Sequence, residues 1–303
     1  MANDNLPTNN IEWHTLAKKY KVEKQSLRMN LKLHSASKVS YKQYLLFRTI
    51  LPAIVPKVGF DPGPLGISHL MPTADQILNR PKFVDYLANI PAYWTQPNAT
   101  WAGEDLFRTA ATWQGHVNYE QRKDSRFKGS KEASVNAAFL SFLTAIAALL
   151  DQPIRRQWST GRRKLTADFG TPQRKRQYVA YTDGQLEEVS SHRILALVEC
   201  KSGPRGRHAP GVDMQEVAQL VAWVKQHPAG PGANRRVLLS KDGLELYISV
   251  FQYGPGWLRY LNGGPGSIKH AGFAYMQRYG PWSMKNKADL REFALIVIAL
   301  LLL

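Results

Sequence analysis

Apolar residues run without interruption from Ile194 to Val198, and Glu199-Cys200-Lys201 closes the run. A short apolar run bounded by polar residues reads as a buried strand. Side chains alternate along a strand, so Glu199 and Lys201 share one face and Cys200 takes the other. Downstream, Val217, Leu220, Val221 and Val224 recur at helical spacing and predict an amphipathic helix over 213–227. Upstream, residues 133–150 are rich in alanine and leucine and read as a long, mostly buried helix with Ser130 as a candidate N-cap. Residues 164–169 and 178–181 read as two short strands, the second followed by Thr182-Asp183-Gly184. Two further strands are predicted over 236–240 and 244–250, around the turn Lys241-Asp242-Gly243. The order is helix, three strands, helix, two strands, which implies an α/β core with a mixed central sheet flanked by helices.

Residues 1–128 have a different texture. Helix-like spacing over 41–54, 74–89 and 102–117 is punctuated by Pro52, Pro56, Pro62, Pro64 and Pro81. This stretch is expected to be a mainly helical or irregular region packing on a core domain over 129–303. The C-terminal run 293–303 is strongly apolar but shorter than the roughly 20 residues a bilayer-spanning helix needs. It reads as a core helix, and no membrane partner is expected. Gly254-Pro255-Gly256 and Gly263-Gly264-Pro265-Gly266 lack the Gly-Lys-Ser/Thr of a phosphate loop and read as connections.

Charge changes the picture. The 303 residues carry 40 Lys plus Arg against 23 Asp plus Glu, a formal charge of +17. A chain this basic fits a polyanionic partner, most often nucleic acid. The positive residues cluster: Arg155, Arg156, Arg162, Arg163, Lys164, Arg174, Lys175 and Arg176 flank the first strand, and Arg205, Arg207 and His208 follow the third. Interleaved with Trp158 and Tyr178, they would grip a phosphate backbone with salt-sensitive affinity. The competing reading is a solvated charged loop. The single cysteine excludes an internal disulfide and a multi-cysteine zinc site. A reducing compartment fits, and the polar start Met1-Ala2-Asn3-Asp4-Asn5 shows no signal-peptide pattern. An intracellular location, nuclear or cytoplasmic, is the expectation. The sequon Asn98-Ala99-Thr100 carries no weight without a secretory signal.

Four predicted elements carry candidate chemistry. Glu132 opens the first helix, Asp183 closes the second strand, Glu199 and Lys201 close the third, and Gln215 lies in the first turn of the next helix. If strands two and three pair as a hairpin, Asp183 and Glu199 sit side by side. Adjacent carboxylates repel unless a cation lies between them, and hard oxygen ligands suit Mg²⁺ or Mn²⁺. Each residue also has a plainer reading: Asp183 as a turn residue, Glu132 as a helix N-terminal acid, Gln215 as a solvated residue, and Glu199 with Lys201 as a surface ion pair. Cys200 is assigned to the core, since no base for it is evident.

These residues, in this order, resemble the PD-(D/E)XK nuclease superfamily. The chain is most similar to nuclease-like domains of uncharacterised fungal proteins. The resemblance rests on Glu132, Thr182-Asp183-Gly184, Val198-Glu199-Cys200-Lys201, Met214-Gln215-Glu216-Val217-Ala218 and Ala222-Trp223, with Tyr279-Gly280-Pro281-Trp282 matching more loosely. Thr182 stands where the superfamily often has proline. The resemblance implies a restriction-endonuclease-like core and in-line, metal-dependent hydrolysis of phosphodiester bonds, with DNA favoured over RNA. It implies that Asp183, Glu199 and the backbone carbonyl of Cys200 hold Mg²⁺, with Mn²⁺ able to substitute. Glu132 would complete that environment directly or through water. Lys201 would orient and help deprotonate the attacking water, and Gln215 would position the lysine or a water. The alternative is a catalytically silent nucleic-acid-binding or protein-interaction module on the same fold.

Overall fold

The computed structural model describes residues 5–29, 32–95, 101–103, 105–122, 132–150, 155–228, 234–263 and 268–303. The Asn98 sequon, Ser130 and the run Gly264-Pro265-Gly266 lie outside these. The chain begins with α1 (Asn10–Lys19), α2 (Tyr41–Leu46), the short β1 (Thr49–Ile50), α3 (Met71–Leu78), α4 (Pro81–Thr95) and α5 (Asp105–Arg122). There follow α6 (Glu132–Ala147), β2 (Arg156–Ser159), β3 (Lys164–Asp168), β4 (Gln177–Tyr181), β5 (Gly184–Glu188) and β6 (Ile194–Lys201). The last elements are α7 (Gly211–Gln226), β7 (Arg235–Asp242), β8 (Glu245–Tyr253), α8 (Pro255–Asn262), β9 (Ala274–Ser283) and α9 (Lys287–Leu302).

Seven strands form one mixed sheet in the order β1-β9-β8-β7-β6-β5-β2. The β6–β7 and β1–β9 pairs are parallel and the other neighbours antiparallel. Strands β3 and β4 form a separate two-stranded ribbon. Each sheet face buries its own apolar cluster. One gathers α3, α5, α6 and α9 over Val198, Cys200, Leu239 and Ile248. The other gathers α1, α2, α7, α8 and the inner face of the ribbon over Leu197, Leu238, Phe251 and Met276. The result is an α/β structure with a mixed central sheet between two layers, the arrangement that lets a sheet bury both faces. Central β6 reads as a continuous apolar run for this reason.

Residues from the first third contribute to both clusters, and β1 adds an edge strand beside β9. The apolar C-terminal run is the core helix α9, with Phe293, Ile296, Val297 and Ile298 fully buried. A helix that is apolar all round belongs in the interior. Among the described residues no helix is long and apolar enough to cross a membrane.

Several expected elements differ. The helix expected over 41–54 stops at Leu46: Arg48 takes a left-handed φ of 48°, and β-branched Thr49 and Ile50 pair with β9 instead. Its guanidinium stacks 4.2 Å from the Trp13 ring, a contact that holds the break in place. The helix over 74–89 is two helices, because Pro81 disfavours helix at the residue before it. Pro255 opens α8 rather than lying in a plain connection, a position where its missing N–H costs nothing.

The largest correction concerns the strands between α6 and α7, which number five rather than three among the described residues. Residues 178–181 do not pair with β6. They pair with β3 in the ribbon, and the antiparallel partner of β6 is β5. Thus Asp183 does not close β4 so much as lead into β5. Strand β5 reads Gly-Gln-Leu-Glu-Glu, which has no apolar signal because its buried polar side chains bond one another: Gln185 Nε2 donates to Glu187 Oε1 at 2.6 Å, and Arg163 grips both oxygens of Glu187 at 3.0 and 3.1 Å.

Candidate active site

The C-terminal end of β6 brings the candidate residues together. Extending the β5–β6 register by one step from Gly184 opposite Val198 sets Asp183 opposite Glu199. The Asp183 amide donates to the Val198 carbonyl at 3.1 Å, and the Cys200 amide donates to Asp183 Oδ2 at 2.9 Å. Asp183 is therefore locked to the strand that carries Glu199 and Lys201. Lys201 Nζ lies 2.5 Å from Glu199 Oε1 and 3.7 Å from Glu132 Oε1, which reaches in from the first turn of α6. From the other side of the sheet, α7 supplies Gln215, whose Nε2 donates to Glu199 Oε1 at 2.5 Å. All five sequence candidates, Glu132, Asp183, Glu199, Lys201 and Gln215, thus converge. Gln215 holds the same Glu199 oxygen that Lys201 meets.

Two further residues of the site escaped sequence reasoning. Gln219, one turn beyond Gln215, donates through Nε2 to Glu199 Oε2 at 2.6 Å and to the Tyr181 carbonyl at 2.8 Å. Its i+4 spacing from Gln215 was the available signal. Asn136, one turn into α6, donates to the Asp183 carbonyl at 3.0 Å and accepts from the Cys200 thiol at 3.6 Å. Cys200 is buried on the α6 side of the sheet, as its alternation with Glu199 predicts, and burial pushes its thiol well up.

Glu199 is not a surface ion-pair member: it is 1% exposed. Burial first, and then the neighbouring Asp183 charge, push its carboxyl up to about 8 against the pull of Lys201. Burial alone would lower Lys201, but Glu199, Glu132 and Asp183 outweigh it and raise the ammonium above its usual range. Such a pocket has a surplus of carboxylate over ammonium and favours an added cation. The donors on offer are hard oxygens: Asp183, Glu199, the Cys200 carbonyl and the half-exposed Glu132. Among the described residues no group of three His, Cys, Asp or Glu side chains assembles a metal cage. That donor set fits Mg²⁺, which is commonly held by one or two carboxylates and completed by water and substrate phosphate.

Neither models of known protein families nor curated protein sequences match this chain. The geometry therefore stands on its own residues.

The basic candidates divide into groups. Arg155, Arg162, Lys164, Arg174, Lys175 and Arg207 are exposed. Arg162 approaches the site, with Nη2 3.6 Å from Asp183 Oδ1. Arg163 is exposed but neutralised by Glu187. Arg176 donates to the Leu27 carbonyl, and Arg156 to the Leu300 and Leu301 carbonyls at the end of α9. Those two tie chain segments together. Trp158 and Tyr178 are buried and not interleaved with the cations at the surface; the Tyr178 hydroxyl donates to the Ala218 carbonyl at 2.7 Å.

Arg205 is corrected outright. It is 3% exposed and cannot meet a phosphate backbone. Its Nη1 donates to Asp213 Oδ1 at 2.7 Å, its Nη2 donates to Glu216, and its Nε lies 2.8 Å from Asp242 Oδ2 without hydrogen-bond geometry. Ser240 Oγ donates to Glu216 Oε1 at 2.6 Å, and Arg278 Nη1 sits 2.6 Å from Asp213 Oδ1. Burial pushes Asp242 up to about 7 despite Arg205. This buried cluster pins the first turns of α7, and with them Gln215 and Gln219, to β7, β9 and the segment that follows β6.

Lys241 is a separate strain on this end of the sheet. It faces Cys200 across the β6–β7 register, is fully buried, and its Nζ has no hydrogen-bond partner among the described residues. Burial pushes its ammonium down to about 8 from the usual 10.5. The unfolded chain holds this proton up to the higher value, so folding stability rises with pH from 8 to 10.5 and is lost again as pH falls through 8. Lys241→Met is expected to gain about 3 kcal/mol at neutral pH and to flatten that rise. Urea unfolding of both proteins at neutral and alkaline pH checks it; equal slopes against pH would refute it.

Proposed function

We propose that this protein is a divalent-metal-dependent nuclease that hydrolyses phosphodiester bonds of nucleic acid, DNA in first place, on a restriction-endonuclease-like core. The observation that carries the reading is the convergence at the end of β6. Two adjacent buried carboxylates, one ammonium and two glutamines come from β6, α7 and the turn before β5 onto one point, although they are spread over 37 positions of sequence from Asp183 to Gln219 counted inclusively. Helix α6 adds Glu132 from the opposite side. The order of these residues supports membership of the PD-(D/E)XK superfamily.

Asp183, Glu199 and the Cys200 carbonyl would hold Mg²⁺ or Mn²⁺, and the bound ion supplies Lewis acidity toward the phosphate and a lower pKa for the attacking water. The chain's own groups do the rest. Gln215 and Gln219 fix the Glu199 carboxylate by occupying one oxygen each. The Cys200 amide fixes Asp183. Lys201 is held as a cation at the mouth of the pocket, where it neutralises charge building on the phosphate and orients the nucleophile. The charge of +17 draws a polyanion toward it.

The test is cleavage of labelled single-stranded, duplex and branched DNA by purified protein with Mg²⁺ and with EDTA. Cleavage is expected only with the metal, and Asp183→Asn is expected to lose it while staying folded. Metal-independent cleavage, or full activity in Asp183→Asn, would remove the assignment. Salt-sensitive binding with no cleavage of any substrate would leave a silent binding module.

A further inference from the structure

Tyr181 is the last residue of β4, two positions before Asp183, and is 50% exposed. Large aromatic side chains usually bury most of their surface, so a half-exposed ring at the edge of a buried carboxylate site stands out. Its position is fixed. Gln219 Nε2 donates both to the Tyr181 carbonyl and to Glu199 Oε2, so one side chain ties the tyrosine to the catalytic glutamate. The guanidinium of Arg162 lies 5.8 Å from the ring centroid, and Arg162 Nε donates to the Thr182 carbonyl at 3.4 Å. Lys164 is the direct cross-strand partner of Tyr181 in the ribbon and is exposed on the same face.

The ribbon extends this arrangement. Its inner side chains Leu165, Ala167, Tyr178 and Ala180 are buried against α7 and its neighbours, while the alternate positions face outward. From Tyr181 to Gln177 is roughly 13 Å of strand. Beyond it lies the Thr171–Arg174 turn with exposed Arg174 and Lys175, and Asp168 near that end is engaged by the Gly170 amide at 2.8 Å. The face thus runs from a ring with two cations beside the carboxylates to a second pair of cations at the tip.

A base inside a duplex shows proteins only its edges, because its faces are stacked on its neighbours. An aromatic platform is useful only to an unpaired base. We propose that the outer face of the β3–β4 ribbon is a track for an unpaired DNA strand, with a base stacked on Tyr181 beside the scissile phosphate and the backbone held by Arg162, Lys164, Arg174 and Lys175. The track rests on the nuclease reading for the meaning of "scissile", but its binding does not. The substrate class it selects is DNA with unpaired nucleotides at the cut: single strands, overhangs and flaps rather than blunt duplex.

Binding in EDTA separates the two claims. Fluorescence anisotropy with a labelled oligothymidylate and with a blunt hairpin duplex of equal nucleotide count is measured for wild type, Tyr181→Ala and Tyr181→Trp. Tyr181→Ala is expected to weaken single-strand binding about tenfold and to leave duplex binding within about twofold. Tyr181→Trp, which keeps a ring, is expected to retain wild-type affinity. The side chain is half exposed, so thermal midpoints should coincide and confirm intact folding. Unchanged single-strand affinity in Tyr181→Ala, an equal loss on both probes, or no single-strand binding by wild type would each overturn the track. Mg²⁺-dependent cleavage by the same wild-type preparation is scored independently, so a track without cleavage and cleavage without a track are distinct results.

Discussion

Lys201→Met is expected to lower metal-dependent cleavage roughly 10³-fold, the size seen when a charge-stabilising or proton-handling group is removed from an active site. The ammonium is the one cation that β6 itself delivers into the pocket, 2.5 Å from Glu199 and raised above its usual range by three carboxylates. Methionine keeps the length of the stem and removes only the charge and its donors. Glu199 then loses its ion-pair partner but keeps Gln215 and Gln219, and its carboxyl is already pushed up to about 8, so it can take a proton instead of unfolding the site. The loss should fall on kcat with little change in KM, since one mostly buried lysine adds little to the affinity of a long polyanion. Steady-state rates on a labelled oligonucleotide, with circular dichroism as the folding control, measure it. A variant that retains more than about a tenth of wild-type kcat would show that the lysine only balances charge.

Arg205→Ala should have the largest effect on stability, a loss of about 3–5 kcal/mol, the usual result of breaking a buried pair by removing one partner. Here one guanidinium serves Asp213, Glu216 and Asp242, all buried, and stacks 4.6 Å from the Tyr247 ring. Alanine leaves a cavity ringed by three acids, with Arg278 beside Asp213. Native proteins hold only about 5–15 kcal/mol in all, so the variant should unfold at markedly lower urea concentration. A surface arginine bound for phosphate would behave in the opposite way, with unchanged stability and a shallower dependence of DNA affinity on salt. Urea unfolding and salt titration of the same variant separate the two roles.

The contrast between Arg205 and Arg162 shows where the sequence is mute. Both sit in basic, loop-like stretches, and nothing local marks one as buried. The partners of Arg205 lie 8, 11 and 37 positions downstream, and only the folded sheet brings them to it. A readable hint was the pair Asp213 and Glu216, acids at i and i+3 on a helix that is otherwise buried on nearly every side. Glu199 and Lys201 were legible because β6 is apolar up to its last three residues and alternation then dictates their common face. Asp183 was legible as a residue but not as a position. Its strand, β5, hides its burial in a network of Thr182, Gln185, Glu187 and Arg163, so no hydrophobic period reports it. The C-terminal helix was legible because the apolar run 293–303, too short to span a bilayer, has only the core to occupy.

Direct titration of Mn²⁺ into metal-free protein, followed by electron paramagnetic resonance, tests the pocket itself. Wild type and Lys201→Met should both bind the ion, whereas Asp183→Asn and Glu199→Gln should each lose it, all four proteins remaining folded. Binding that survives in both carboxylate variants, or that wild type never shows, would contradict the assignment of this strand end as a metal-dependent catalytic centre.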